Sequence, residues 1–267
     1  MAERLELQTV TLAYEDSGSG APAVLFLHGL GGSSNLWLAQ LEACRKRGWR
    51  GIAPDQRGAG RSGSPAGPYS IDLWASDARD LLDALEVGRV ALVGHSVGCM
   101  IAAAAAGALE DRVWALALCG GAAGWPDAAG ATFAERARLA REGRMDVIAA
   151  AVAASGLSQR CRAQDPRLLG LMREAIASNH RESYALWAEA TARGRIEGLE
   201  RIACPLLAFC GSEDAVTPPA AARQLAEAAP DGHMQVIEGA AHWCMVESPA
   251  AVSGVLFGFL ERHLPAL

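Results

Sequence analysis

Residues 89–106, RVALVGHSVGCMIAAAAA, decide the fold of this chain because they join a strand to a helix through a very tight turn. The residues before the first glycine are apolar and of strand type, and those after the second are strong helix formers. Gly94 and Gly98 flank Ser96 in the pattern G-x-S-x-G, where any Cβ atom would collide between closely packed strand and helix. This setting predicts a strained turn that lifts the Ser96 hydroxyl above the sheet, over a helix N-terminus.

The composition is that of an ordinary globular protein. The chain has 267 residues, 51% hydrophobic and 20% charged, which suits one large domain or one domain with an insertion. A net charge of −6 argues against a nucleic-acid partner, and no basic run indicates binding to a membrane. Seven cysteines without a C-x-x-C pair are typical of buried thiols in a reducing compartment. Residues 1–4 lack the apolar core of a signal peptide, so we expect a cytoplasmic protein.

Strand-like and helix-like segments alternate along most of the chain, which is typical of a mostly parallel sheet with helices on both faces. The predicted strands cover residues 5–14 (one or two antiparallel edge strands), 23–27, 49–54, 89–93, 113–118, 205–210 and 233–237. The predicted helices cover residues 35–47, 72–85, 99–106, 220–229 and 250–264, with Ser70 as the N-cap of the second.

The alternation breaks between Trp125 and about Leu199, where the sequence is helical, alanine-rich and without a convincing strand. Three glycines just before this segment indicate a hinge. We therefore predict an α/β fold in which residues 1–121 and 200–267 form one sheet domain, and residues 122–199 form an inserted helical cap.

A serine nucleophile needs a base that takes its proton and an acid that orients the base. Asp214 follows the predicted strand 205–210 in a glycine-initiated loop, and we prefer it to the neighbouring Glu213. His242 follows the next strand, so both side chains are expected at the same edge of the sheet. The order Ser96, Asp214, His242 along the chain predicts a catalytic triad and differs from the orders of chymotrypsin-like and subtilisin-like enzymes.

Backbone amides are expected to bind the oxyanion that forms during nucleophilic attack. One is Val97, directly after Ser96, and the other is Leu30, in the glycine-rich loop that follows strand 23–27. This loop lacks the G-x-G-x-x-G spacing of a dinucleotide site, and no residues have metal-ligand spacing. The sequence therefore predicts chemistry that needs no cofactor and no metal.

Five motifs make the chain resemble the α/β-hydrolase superfamily over essentially its whole length. They are HGLGG at 28–32, DQRGAGRS at 55–62, GHSVG at 94–98, GSED at 211–214 and GAAH at 239–242. Within the superfamily the chain looks most like 3-oxoadipate enol-lactonases, through residues 118–123, which lead into the cap, and residues 208–243. The resemblance implies a serine hydrolase that cleaves an ester or lactone of a small molecule through an acyl-enzyme, with a D-x-R-G-x-G-x-S loop that is mainly structural.

The cap is expected to cover the substrate pocket and to determine specificity. Trp125, Met145 and Trp187 in the cap and Trp243 in the sheet domain are candidates for apolar walls, although such residues often pack in a core. If the substrate is anionic, a cap arginine is expected to bind it. The sequence singles out none of the four that lie close together, Arg136, Arg138, Arg141 and Arg144.

Several other functions fit the same motifs. General carboxylesterases share them, and carbon–carbon bond hydrolases of ring-cleavage products look similar but often carry Asn where this chain has His95. Haloalkane dehalogenases and epoxide hydrolases use an Asp nucleophile, whereas this chain has Ser96. A ligand-sensing protein with slow turnover and a cofactor-free oxygenase, using His242 and Asp214 for proton abstraction, are rivals from other classes. The sequence leaves the oligomeric state open.

Overall fold

The computed structural model describes residues 2–264, which form an eight-stranded sheet surrounded by α-helices. The strands are β1 Glu3–Glu6, β2 Thr11–Asp16, β3 Ala23–Leu27, β4 Arg50–Asp55, β5 Val90–His95, β6 Val113–Cys119, β7 Leu206–Gly211 and β8 Gly232–Ile237. Their order in the sheet is β1-β2-β4-β3-β5-β6-β7-β8. The strands β1 and β2 pair in an antiparallel manner at one edge, and the remaining strands are parallel. This is the predicted α/β architecture.

Each of the predicted helices is present with slightly different ends, and two short elements were not predicted. They are α1 Leu38–Lys46, α2 Ile71–Ala84, α3 Val97–Leu109, α4 Asp127–Arg141, α5 Met145–Gly156, α6 Gln159–Gln164, α7 Pro166–Ala177, α8 Arg181–Arg193, α9 Pro219–Ala228, α10 Cys244–Glu247 and α11 Pro249–Arg262. Ser70 caps α2 as predicted, because its side chain accepts a hydrogen bond from the Leu73 N–H. A 3-10 turn at Ser34–Trp37 precedes α1, and the short α10 was not predicted. Within residues 2–264, no helix is long and apolar enough to cross a membrane.

The central strands are buried on both faces because their sequences are continuous apolar runs. Every residue of β3, β5, β6 and β7 is buried. The helix α3 is buried along most of its length, and its small side chains pack against the sheet. This packing places the carboxyl ends of the parallel strands, where the loops begin, at one edge of the sheet.

The segment between β6 and β7 consists of the five helices α4 to α8. Here α4 packs along α8, and α5 packs along α7. The segment is attached to the sheet side by a backbone hydrogen bond of 3.0 Å from the Trp243 N–H to the Gly156 carbonyl. Its helical character agrees with the sequence analysis, and its status as a separate cap remains a prediction.

Candidate active site

Ser96 lies on the sharp turn between β5 and α3. Its backbone has φ 56° and ψ −124°, a region that residues with a side chain avoid, as the motif predicts. Its N–H donates to the Cys119 carbonyl at the end of β6, at 2.9 Å. A Cβ atom at Gly94 would lie 2.3 Å from the Gly98 carbonyl oxygen, and one at Gly98 would lie 2.3 Å from that of Leu27. Both flanking positions therefore require glycine.

Asp214 and His242 form a buried pair in the loops after β7 and β8. His242 Nδ1 lies 2.9 Å from Asp214 Oδ2. The same carboxylate accepts hydrogen bonds from the Val216 and Thr217 N–H groups, at 2.9 and 2.8 Å, and from the Thr217 hydroxyl at 2.9 Å. Burial alone would raise the pKa of Asp214, but His242 and the two Thr217 donors lower it, so the carboxylate is ionised. Glu213, the rejected alternative, is exposed.

A second histidine, His95, precedes Ser96 in the turn and contacts the backbone of His242. Its Nε2 lies 3.0 Å from the His242 carbonyl oxygen, and because a carbonyl only accepts, this nitrogen carries the proton. Burial and the nearby His242 lower the pKa of His95 to about 3, so it is neutral. On the other side, a Cβ atom at Gly120 would lie 3.2 Å from His242 Nδ1. Sequence reasoning included both residues in motifs but missed these roles, because neither motif shows a contact with a loop more than 100 residues away.

The two predicted oxyanion donors lie next to Ser96. Val97 is the first residue of α3, and Leu30 lines the same cavity as Ser96. A Cβ atom at Gly29 would lie 2.9 Å from Ser96 Cβ, so this loop passes directly over the serine. Within residues 2–264, neither the Leu30 nor the Val97 N–H donates to another protein group. Both amides are therefore free to bind a ligand oxygen.

The loop that carries Leu30 is held by the loop after β4. His28 Nδ1 donates to the Gly29 carbonyl at 2.8 Å, and its Nε2 accepts the Gln56 N–H at 3.0 Å. The Gln56 side chain donates back to the His28 carbonyl at 2.7 Å. In the same loop, buried Arg57 forms an ion pair of 2.7 Å with Asp77 on α2. These contacts give the D-x-R-G-x-G-x-S loop a structural role.

Ser96 and His242 line one cavity, together with residues of α4, α5 and α8. Trp125 and Trp243, two of the four predicted apolar walls, line this cavity. The ring of Trp243 packs directly against Gly156 at the end of α5, where a Cβ atom would lie 2.8 Å from it. The residues that enclose the cavity from the segment also include Phe133, Arg136, Val152, Ser155 and Thr191.

The other two predicted walls lie elsewhere and do not line this cavity. Trp187 packs against Trp74, with ring centroids 3.8 Å apart and ring planes tilted by 34°, and its Nε1 donates to the Arg57 carbonyl at 2.8 Å. Trp187 therefore connects α8 to the loop after β4. Met145 is buried in an apolar cluster with residues such as Ile148. The prediction for both residues is corrected, because each is used for packing between elements.

Glu247, in α10, is a further residue that sequence reasoning missed. Its carboxylate accepts hydrogen bonds from the Ser158 N–H at 3.1 Å, the Ser158 hydroxyl at 2.6 Å and the Ala241 N–H at 3.0 Å. Ser158 lies between α5 and α6, and Ala241 directly precedes His242. Glu247 thus joins the helical segment to the loop that carries His242. No sequence signal marks it, because its partner Ser158 is 89 residues away.

Comparisons with known proteins identify the family to which this fold belongs. A family model described as the alpha/beta hydrolase fold matches residues 22–249. The chain is 29% identical to 3-oxoadipate enol-lactonase 2 of Acinetobacter baylyi over 262 residues, which cover 97% of each chain. It is 28% identical to a malate-bound thermophilic esterase of Thermogutta terrifontis, with a TM-score of 0.92 and coverage of 98% of this chain and 100% of that one. It is also 28% identical to the enol-lactonase of Burkholderia xenovorans, with a TM-score of 0.90 and coverage of 97% and 100%. The chain therefore belongs to the alpha/beta hydrolase family of hydrolytic enzymes.

Proposed function

We propose that this chain hydrolyses an ester or lactone of a small molecule through a Ser96–His242–Asp214 triad and an acyl-enzyme, without a cofactor. The observation that carries the proposal is that Ser96, held in a strained conformation, lines the same cavity as His242, which bonds to the buried Asp214. A serine hydroxyl, an imidazole and an ionised carboxylate are the groups that such a reaction requires.

His242 acts as the base. Its Nδ1 proton faces Asp214, so Nε2 is left to take the Ser96 proton. The resulting imidazolium is stabilised by Asp214, which stays ionised because the Val216 and Thr217 groups also donate to it. The imidazolium then protonates the leaving alkoxide, or the ring oxygen of a lactone, and later activates the water that releases the acyl group.

The negative charge that develops on the carbonyl oxygen is bound by the Leu30 and Val97 N–H groups. This role is supported by the position of Leu30 on the cavity wall and of Val97 at the N-terminus of α3, where the helix dipole favours negative charge. The contacts between His28 and Gln56 keep the Leu30 loop in place before substrate binds. Preorganised donors of this kind are typically worth about 3–4 kcal/mol of transition-state stabilisation each.

The helices α4 to α8 act as a cap that covers the bound substrate. Enol-lactones are favoured over simple esters, because two of the relatives are named enol-lactonases and match nearly the whole chain. An esterase is the second candidate, supported by the solved esterase with a TM-score of 0.92.

The test compares wild type, Ser96→Ala and Ser155→Ala on p-nitrophenyl acetate and butyrate, simple lactones and an enol-lactone. Ser155 is the matched control, because it lines the same cavity but its hydroxyl donates to the Val152 carbonyl. We expect Ser96→Ala to lower kcat by roughly 10³- to 10⁶-fold, and Ser155→Ala to change it by less than about 10-fold.

One outcome contradicts the serine mechanism, namely ester or lactone turnover that persists in Ser96→Ala. Three other outcomes point to other functions. Oxygen uptake that persists in Ser96→Ala indicates the cofactor-free oxygenase. A single turnover followed by a stable complex indicates a ligand-sensing protein. Activity on a ring-cleavage product in the absence of ester or lactone activity indicates a carbon–carbon bond hydrolase.

A further inference from the structure

One arginine of the helical segment lies on the wall of the cavity that Ser96 also lines. Arg136, on α4, lines this cavity and is half-buried. Its guanidinium carbon lies 5.8 Å from the centroid of the Phe133 ring, which also lines the cavity, so a cation–π contact helps to hold the charge there.

The three other arginines of this region already have acidic partners. Arg138 pairs with Glu135 at 2.7 Å, Arg141 with Glu182 at 3.0 Å and Arg144 with Asp146 at 3.4 Å. In contrast, Arg136 forms no ion pair with the side chains that the structure describes, and none of the acidic ones among them lines the cavity. Its positive charge is therefore available to a ligand.

Two neutral donors near Arg136 also lack an acceptor. The Nε1 atom of Trp125 is buried and has no hydrogen-bond partner among the groups that the structure describes, and this tryptophan lines the cavity. The buried hydroxyl of Tyr184 lies within reach of the Arg136 guanidinium, which can only donate, so the Tyr184 proton also lacks an acceptor among the described residues. Burial raises the pKa of Tyr184 to about 12, while the charge of nearby Arg136 acts in the opposite direction, so the hydroxyl keeps its proton. Its ring lies 3.1 Å from the Cβ position of Gly31, beside the Leu30 loop.

Apart from Ser96, the hydroxyl groups on the cavity wall already donate to backbone carbonyls. Ser155 donates to the Val152 carbonyl at 3.2 Å, and Thr191 donates to the Trp187 carbonyl at 2.8 Å. The cavity-lining groups without a partner in the described part of the chain are then His95 Nδ1, an acceptor beside Ser96, and two donors, the Arg136 guanidinium and Trp125 Nε1. A ligand with several acceptor oxygens would satisfy these two donors. A carboxylate provides two oxygens in a plane that matches the guanidinium fork.

We propose that Arg136 is a specificity-determining residue that binds a carboxylate on the substrate, with the Trp125 indole N–H as a second donor. The preferred substrates are then esters or lactones with an additional carboxylate away from the reacting carbonyl. This inference rests on the proposed function, because it assigns the part of the substrate that Ser96 does not attack.

The test uses ester pairs that differ only in the carboxylate. Monomethyl succinate, glutarate and adipate are compared with methyl butyrate, pentanoate and hexanoate, in which a methyl group replaces the carboxyl group. Hydrolysis is followed in a pH-stat for wild type, Arg136→Met and Arg138→Met. Arg138 is the matched control, because it lies on the same helix but pairs with Glu135 and is exposed.

We expect Arg136→Met to lower kcat/KM for the preferred half-ester by roughly 10- to 150-fold, mainly through KM, because a hydrogen bond to a charged group is worth about 1.5–3 kcal/mol. The neutral esters should change by less than about 3-fold, and Arg138→Met should resemble wild type for both series. Wild type that prefers the neutral member of every pair, or an Arg136→Met variant with an unchanged ratio between the two series, overturns the proposal.

A binding experiment separates this proposal from the proposed function. Glutarate and adipate are titrated into Ser96→Ala and into the double variant Ser96→Ala with Arg136→Met, and tryptophan fluorescence is recorded. Saturable binding that disappears in the double variant supports the Arg136 site even if no ester is turned over. Equal binding, or no binding, in both proteins contradicts it even if Ser96-dependent hydrolysis of neutral esters is observed.

Discussion

Gly98 is the position where the packing of the serine turn can be tested most directly. A Cβ atom there would lie 2.3 Å from the Leu27 carbonyl oxygen and 2.7 Å from that of His28, and these backbone atoms cannot rotate away. Gly107 lies on the same helix, is exposed and has no atom within 4 Å of its Cβ position. Alanine at each position therefore separates the steric cost of a Cβ atom from its effect on helix propensity.

The size of the effect follows from these distances. In Gly98→Ala, α3 and the end of β3 must separate by about 1 Å to reach an ordinary contact distance. Overpacking costs about 1–3 kcal/mol or more, and alanine in place of glycine in a helix gains up to about 1 kcal/mol. We expect a net loss of about 2 kcal/mol for Gly98→Ala and a gain of up to about 1 kcal/mol for Gly107→Ala. For a chain of this size, a difference of about 3 kcal/mol corresponds to roughly 6–12 °C in Tm.

The free energy of unfolding is measured by urea titration with tryptophan fluorescence, and Tm by calorimetry. Ser96-dependent ester hydrolysis, assayed well below both transitions, should also fall in Gly98→Ala, because movement of α3 displaces the Val97 N–H. If Gly98→Ala is as stable as Gly107→Ala, the close approach of α3 to β3 is not the reason for glycine in the turn, and the steric argument is wrong.

Three further predictions concern the groups around His242. Asp214→Asn should lower kcat about 10⁴-fold with little change in KM, since the wrong imidazole tautomer is then favoured, and steady-state kinetics on the best ester check this. The pKa of His95 is lowered from 6.5 to about 3, so the unfolded state binds the proton first and stability falls as the pH drops below 6.5. Between pH 7 and pH 5 this loss is about 2 kcal/mol, and urea titrations at both pH values should show a correspondingly smaller loss for His95→Asn. An equal loss in both proteins would show that His95 is not responsible. Glu247→Gln weakens the hydrogen bonds to Ser158, so it should reduce the free energy of unfolding by about 1–3 kcal/mol and lower kcat more than it changes KM. Glu142→Gln, at the exposed residue that follows α4, should change neither stability nor kcat.

The turn and the sheet could be predicted from the sequence because their causes are local. The G-x-S-x-G pattern requires glycine on both sides of Ser96, and this requirement involves atoms of the turn and of the adjacent strand. The continuous apolar runs predict strands buried on both faces, and the alternation with helices predicts a parallel sheet. The carboxyl ends of such strands meet at one edge, so Asp214 and His242 were expected near Ser96 although they are distant from it in the chain.

The walls of the cavity could not be predicted in the same way, because helical periodicity shows that a residue is buried but not what it contacts. Trp125 and Trp187 look alike in the sequence, yet one lines the cavity and the other binds the Arg57 carbonyl. Likewise, Arg136 and Arg138 differ only in which face of α4 they occupy and in whether an acidic side chain is within reach.

The sequence by itself therefore determined the sheet, the strained turn and the chemical groups at the edge of the sheet, since backbone sterics and burial act over a few residues. Only the tertiary structure decided how the helices α4 to α8 meet that edge. Contacts such as those of Glu247 with Ser158 join segments 89 residues apart, and they depend on how whole helices pack. For this reason the reaction type could be inferred from the sequence, whereas the residue proposed to select the substrate emerged only from the structure.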